Sequence, residues 1–246
     1  MRKQIQIILL VFLVLAGIRL LLIYRGRHAA LPEPSTTRQT ATLNADDYVV
    51  PTQVHSTDLP SAKEDLTGKT VWVKAGNQVN YFPYAGGQVD FKHSAGLLPP
   101  LKKLQITNVI QSTAPDAKAE EIAPGVRVRA QRVMAVFNLE GETKSYVAAV
   151  GGNRGGDYTL YINDMFFFDD PHQLYKHWPP EVWSAIDQHQ ALKGMSELQA
   201  ALALGAGVPE GSAGDFGNRT LKFDNNGHPI TVTFERNRAT QVVPAS

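Results

Sequence analysis

Val126-Arg127-Val128-Arg129-Ala130-Gln131, Val133-Met134-Ala135-Val136-Phe137, Ser145-Tyr146-Val147-Ala148-Ala149-Val150 and Tyr158-Thr159-Leu160-Tyr161-Ile162 are the runs on which the fold turns. In the first, Val126, Val128 and Ala130 alternate with Arg127, Arg129 and Gln131, the period of two that points one face of a strand inward and the other to water. Arg127, Arg129 and Arg132 accordingly read as a solvated face. The alternation breaks before Val133, which predicts a β-bulge or bend. Glu140-Gly141-Glu142 supplies a hairpin turn, and Ser145–Val150 the returning strand. Gly151-Gly152-Asn153-Arg154-Gly155-Gly156 lacks the G-K-[ST] ending of a phosphate loop and joins strand to strand, so it reads as a loose hairpin.

Outward towards the N-terminus the same grammar continues. Val71-Trp72-Val73-Lys74 follows Gly68-Lys69, Val79-Asn80-Tyr81-Phe82 stops at Pro83, and Leu104-Gln105-Ile106-Thr107 alternates after Pro99-Pro100. Residues 66–168 are therefore expected to form a β-rich domain, a small barrel or sandwich. Leu66-Thr67-Gly68-Lys69-Thr70-Val71-Trp72-Val73 and Leu98-Pro99-Pro100-Leu101 resemble an SH3-type barrel, and that resemblance implies binding of peptides or cell-wall glycans rather than catalysis.

Towards the C-terminus the period changes to that of helices. Pro179-Pro180-Glu181 suits a helix first turn, with Val182, Trp183 and Ile186 on one face and a break at Gly194. Ser196-Glu197-Leu198-Gln199 has the spacing of a capping box. Leu198, Ala201 and Leu202 form a stripe, Gly205 ends the helix and Pro209 forbids its continuation. Thr220-Leu221-Lys222-Phe223 alternates, Asn226-Gly227 signals a hairpin, and Ile230, Val232 and Phe234 alternate on the return before a last strand over Thr240–Val243. Leu192–Gly205, Ile230-Thr231-Val232-Thr233-Phe234 and Arg238-Ala239-Thr240 are similar to the SmpA/OmlA (BamE-like) family. That similarity implies a two-layer ααβββ module and a scaffold role in envelope assembly, without a reaction. Members of that complex are usually held by a lipid-modified Cys, and this chain has no Cys.

At the other end, Ile5 to Tyr24 is apolar except for Gln6, Gly17 and Arg19. About 20 helical residues span roughly 30 Å, the thickness of a bilayer's hydrocarbon core, and Arg19 is off-centre enough to snorkel. The run exceeds the apolar core of a signal peptide and lacks its small-residue cleavage pattern. It predicts a single-pass transmembrane anchor that contacts the lipid bilayer through residues 5–24. The expected location is the inner membrane, with the bulk of the chain on the periplasmic side. Residues 26–65, with Leu31-Pro32-Glu33-Pro34-Ser35-Thr36-Thr37, read as a flexible linker, in which Tyr48-Val49-Val50 is suited to docking on a domain.

The sum is an α+β fold class: anchor and short cytoplasmic tip over 1–25, linker over 26–65, an SH3-like β-barrel region over 66–168 and a BamE-like module over 169–246. Lys and Arg number 24 against 23 Asp and Glu, so no basic excess points to nucleic acid. The absence of Cys removes disulfides, thiolate metal sites and Cys nucleophiles. No G-x-S-x-G elbow or H-E-x-x-H motif occurs, and no cofactor is expected. Tyr175, Trp178, Trp183 and Phe167 form an aromatic group that reads as packing between the two regions or as a groove for a glycan or peptide. Asp169, Asp170, His172 and His177 offer metal-ligand atoms. The function expected is that of a membrane-anchored, non-catalytic envelope protein that binds a protein or peptidoglycan partner. The alternative is a metal-dependent hydrolase built on Asp169, Asp170 and His172.

Overall fold

A computed structural model of the chain describes residues 17, 19, 21, 24, 45–76, 78–113, 117–123, 126–211 and 214–244. The chain divides into two units, residues 1–44 and 45–246. In the first, Gly17, Arg19, Leu21 and Tyr24 are helical and exposed. The rest of the expected span at 5–24 lies outside the described residues.

The second unit begins with a single 3-10 turn, Ala45–Tyr48, and an extended segment that reaches helix α1 (Leu59–Leu66). Asp58 caps α1, its carboxylate accepting from the Ser61 N–H at 2.8 Å. Strands β1 (Thr70–Val73), β2 (Asn80–Ala85), β3 (Gln88–Val89), β4 (Gly96–Leu97) and β5 (Lys103–Ser112) follow. A two-stranded arm, β6 (Ala119–Ala123) with β7 (Val126–Arg129), leads into β8 (Gln131–Leu139), β9 (Ser145–Arg154) and β10 (Asp157–Leu160). A turn of helix, α2 (Ile162–Met165), precedes β11 (Phe166–Phe167). Then come α3 (Pro171–Leu174), α4 (Pro180–Asp187), α5 (Glu197–Leu204), and β12 (Gly207–Pro209), β13 (Thr220–Phe223), β14 (Ile230–Glu235) and β15 (Arg238–Pro244).

The first sheet is antiparallel in the order β11-β1-β5-β8-β9-β2-β3, with β10 also on β9 and β4 also on β2. Its centre is β8, whose unbroken run Val133–Phe137 is buried on both faces, as a strand roofed on both sides must be. Val133, Ala135 and Phe137 face a core closed by Ala62 and Leu66 of α1, while Met134 and Val136 face Phe82, Tyr84, Val89 and Phe91. The break in alternation before Val133 corresponds to a register shift between Val133 and Met134 against β9. Arg127 is solvent-exposed, whereas the Arg132 guanidinium lies 5.8 Å above the Phe91 ring.

The second sheet runs β12-β13-β14-β15, and α4 and α5 share a core with it. The capping box is present: Ser196 accepts from the Gln199 N–H, and Gln199 reaches back to the Ser196 N–H. Gly205, at φ 94°, ends α5. Arg236 and Asn237 both have positive φ, the geometry of a two-residue hairpin turn that follows the strand twist. At the Asn226-Gly227 signal the strands are joined through a short 3-10 turn, Asn225–Gly227. Strand β12 was not anticipated; it is an edge strand ending on Pro209, where a missing N–H costs no ladder bond.

Three expectations are corrected. Among the described residues the fold is mostly β, with about 40% strand against 22% helix, rather than α+β. The first sheet does not close into an SH3-like barrel: its ends are the two-residue strands β11 and β3, which do not pair with each other, and the C-terminal layer carries four strands rather than the three of an ααβββ module. Finally, the expected single-pass transmembrane helix finds no support: no helix among the described residues is long and apolar enough to cross a membrane.

Gly151 and Gly152 separate packing from conformational freedom, because neither has positive φ. A Cβ on Gly151 would stand 2.5 Å from Leu160 Cδ2 and 2.6 Å from the Thr159 carbonyl, whereas one on Gly152 meets nothing nearer than 3.7 Å. Gly151→Ala should lose about 1–3 kcal/mol in urea denaturation through overpacking, and Gly152→Ala should stay within about 0.5 kcal/mol of wild type. Equal midpoints for the two variants would contradict this packing.

Candidate functional site: an aromatic ladder and its open end

The segment 163–188 is built from short, punctuated turns. Asp170 caps α3 by accepting the His172 N–H at 2.9 Å, and Pro171 sits where its missing N–H is harmless. Tyr175 closes that turn through its N–H to the Pro171 carbonyl. Pro179 and Pro180 then restart the chain as α4, which carries Trp183.

These turns stack four rings. Tyr175 and Trp178 lie 4.4 Å apart and nearly parallel, Trp178 and Trp183 are 5.2 Å apart at 35°, and His172 lies flat on Trp183 at 4.1 Å. Phe167 meets Tyr175 edge-on at 6.3 Å. Phe167, Tyr175, Trp178 and Trp183 are 4–9% exposed and belong to the second core. The buried polar atoms are matched. Trp183 Nε1 donates to the Tyr175 carbonyl at 3.3 Å, and Trp178 Nε1 donates to Asp46 Oδ1 at 2.7 Å. His177 Nε2 is 2.6 Å from the same Asp46 oxygen. Burial, and then the Asp46 carboxylate, push the Tyr175 phenol above its usual pKa.

One end of the ladder opens to solvent. A shallow depression of about 660 Å³ is floored by His172, Trp178 and Trp183 and rimmed by Lys176, Asp187 and Gln188. His172 Nδ1 is 3.3 Å from Asp170 and its Nε2 is 3.5 Å from Asp187, so carboxylates on two elements flank the imidazole that lies over the indole. Gln188 Nε2 donates to Ser184 Oγ at 2.9 Å.

The residues considered as metal ligands have other partners as well. Asp169 accepts the Thr52 N–H and hydroxyl at 2.7 and 3.0 Å, Asp170 caps α3, and His177 turns to Asp46. Among the described residues no group of three or more His, Cys, Asp or Glu is placed to hold a metal ion.

Sequence reasoning missed Asp46, Thr52 and Asn163, which lie in text without period or motif. It also missed Lys74, whose ammonium donates to the Asn163 carbonyl at 2.5 Å and sits 4.9 Å from the centre of the Phe167 ring. Burial lowers its pKa, with Asp164 opposing that shift. No family model, curated protein or solved structure matches the chain, so the likenesses to SmpA/OmlA proteins and SH3 barrels rest on the quoted residues alone.

Asp46→Ala should strip the acceptor from the Trp178 indole and cost about 1–3 kcal/mol of stability, the desolvation penalty of an orphaned donor. It should also increase acrylamide quenching of tryptophan fluorescence. Wild-type stability and quenching in this variant would show that Asp46 does not hold the ladder.

Proposed function

We propose that the chain is a non-catalytic binding module that takes a glycan strand on the open end of the aromatic ladder. The observation that carries this reading is the depression itself, with the half-exposed His172 ring outermost on its floor, stacked on the little-exposed Trp183, and hydrogen-bonding groups on its rim. The C–H faces of a sugar ring are apolar and suit an aromatic floor, while its hydroxyls need donors and acceptors at the edge. Lys176, Asp187 and Gln188 supply both kinds. The floor is prearranged, since Trp183 is tied by its indole N–H and His172 stacks on it. A binder with fixed rings loses little conformational freedom on engagement. The nearby acids have structural duties: Asp170 caps a helix, and Asp169 is bonded to Thr52. A polymeric glycan is accessible outside the cytoplasm, so an extracytoplasmic setting belongs to this reading.

The test is co-sedimentation with insoluble peptidoglycan, paired with fluorescence titration by a β-1,4-linked N-acetylglucosamine tetramer. Saturable binding is expected, weakened at least tenfold by the combined exposed changes Asp187→Ala and Gln188→Ala, with the melting temperature nearly unchanged. Absence of saturable binding, or binding indifferent to those two changes, would overturn the proposal.

A further inference from the structure

Residues 46–56 are held the way a bound peptide is held. Beyond the turn at Ala45–Tyr48 the segment has no secondary structure of its own until α1. Its polar anchors come mainly from side chains of the 163–178 stretch. Asn163 clamps Val54 from both sides: its Oδ1 accepts the Val54 N–H at 2.9 Å and its Nδ2 donates to the Val54 carbonyl at 2.7 Å. Asp169 takes both the backbone N–H and the hydroxyl of Thr52. Trp178 and His177 take the carboxylate of Asp46.

The chemistry divides into a general and a specific part. The paired contacts of Asn163 read a backbone unit that any extended peptide offers, as in strand-addition recognition. The hydroxyl on Asp169 and the carboxylate on the indole and imidazole read side chains at fixed spacing. Apolar burial contributes little: Tyr48 is 70% and Val50 84% exposed, and only Val49 and Val54 turn towards the cores, both partly buried. A segment held mainly by partly exposed polar contacts lies at the low-stability end of a fold.

We propose that Asn163, Asp169, His177 and Trp178 form a recognition surface for an extended peptide. The peptide would carry a carboxylate, a Ser or Thr hydroxyl six residues later, and a small apolar residue two beyond that. Residues 45–56 are its occupant in cis, displaced by a partner segment of the same pattern. This inference shares Trp178 with the glycan reading but none of the groups changed in that reading's test, Asp187 and Gln188.

The experiment uses the full chain and a fluorescein-labelled peptide of residues 45–57, followed by anisotropy. In the chain with Asp46→Ala and Thr52→Val the cis segment is weakened while the four recognition residues keep their identity, Trp178 and His177 losing their partner in cis. This variant should show faster hydrogen exchange at the Val54 amide and bind the peptide at least tenfold more tightly than wild type does. A peptide with Ala in place of Asp46 and Val in place of Thr52 should bind at least tenfold more weakly, as should the same chain carrying Asn163→Ala. Unchanged Val54 exchange would show that these contacts do not hold the segment. Equal binding to wild type and variant, equal binding of the altered peptide, or no binding once exchange shows the segment released would each overturn the proposal.

Discussion

An indole N–H removed from water needs an acceptor, and Trp178 finds its acceptor on Asp46, 132 positions earlier in the chain. Much of the molecule's functional architecture follows from that pairing. The same carboxylate oxygen faces His177, so one residue of the N-terminal segment fixes two neighbouring side chains at the end of α3. With Trp178 fixed, Tyr175 stacks on one side of it and Trp183 on the other, and His172 completes the ladder at the surface. The segment that delivers Asp46 is drawn along the fold and meets Asp169 and Asn163 in turn.

A second constraint makes this possible. Strands β1 and β11 are a thin wall with a core on each side, because successive residues of a strand point to opposite faces. Val71, Val73 and Phe166 face the core closed by α1, while Trp72 and Phe167 face the core of the C-terminal helices and sheet. Trp72 stands opposite Phe167 across the β1–β11 pair. The two regions are therefore joined by shared packing rather than by a flexible hinge. The ladder lies on the C-terminal side of that wall, in contact with Phe167. At the opposite margin of the second sheet, Glu197 is buried and paired with Arg219 at 2.5 Å, with the Gly217 N–H on its other oxygen, which pins the loop before β13 to the start of α5.

What the sequence discloses is what local physics determines. The two-sided burial of β8 is written in the unbroken run Val133–Phe137, and the bulge in the lost alternation before it. The capping box at Ser196 and Gln199 is legible because both partners lie within one helical turn. The aromatic group was legible as a set, since Phe167, Tyr175, Trp178 and Trp183 crowd into a short stretch. Their geometry was not, because it depends on an acid at position 46 in text that reads as linker. Asp169 and His177 offered metal-ligand chemistry on composition alone, yet their partners here, Thr52 and Asp46, come from far along the chain. Openness of the first sheet was equally hidden, because strand runs with turn signals do not say whether the last strand meets the first.

The ladder carries two kinds of chemistry. Its outer end offers the His172 ring and a polar rim, while along its side the Trp178 indole N–H and the neighbouring His177 imidazole face a carboxylate. The central claim is that Asp46 closes that side. Hydrogen exchange at the indole N–H groups, followed site by site by NMR in the full chain, tests it most directly. The account predicts that the Trp178 N–H, bonded to Asp46, and the Trp183 N–H, bonded to the Tyr175 carbonyl, both exchange far more slowly than a free indole. A Trp178 indole exchanging at the free rate beside a protected Trp183 would contradict it.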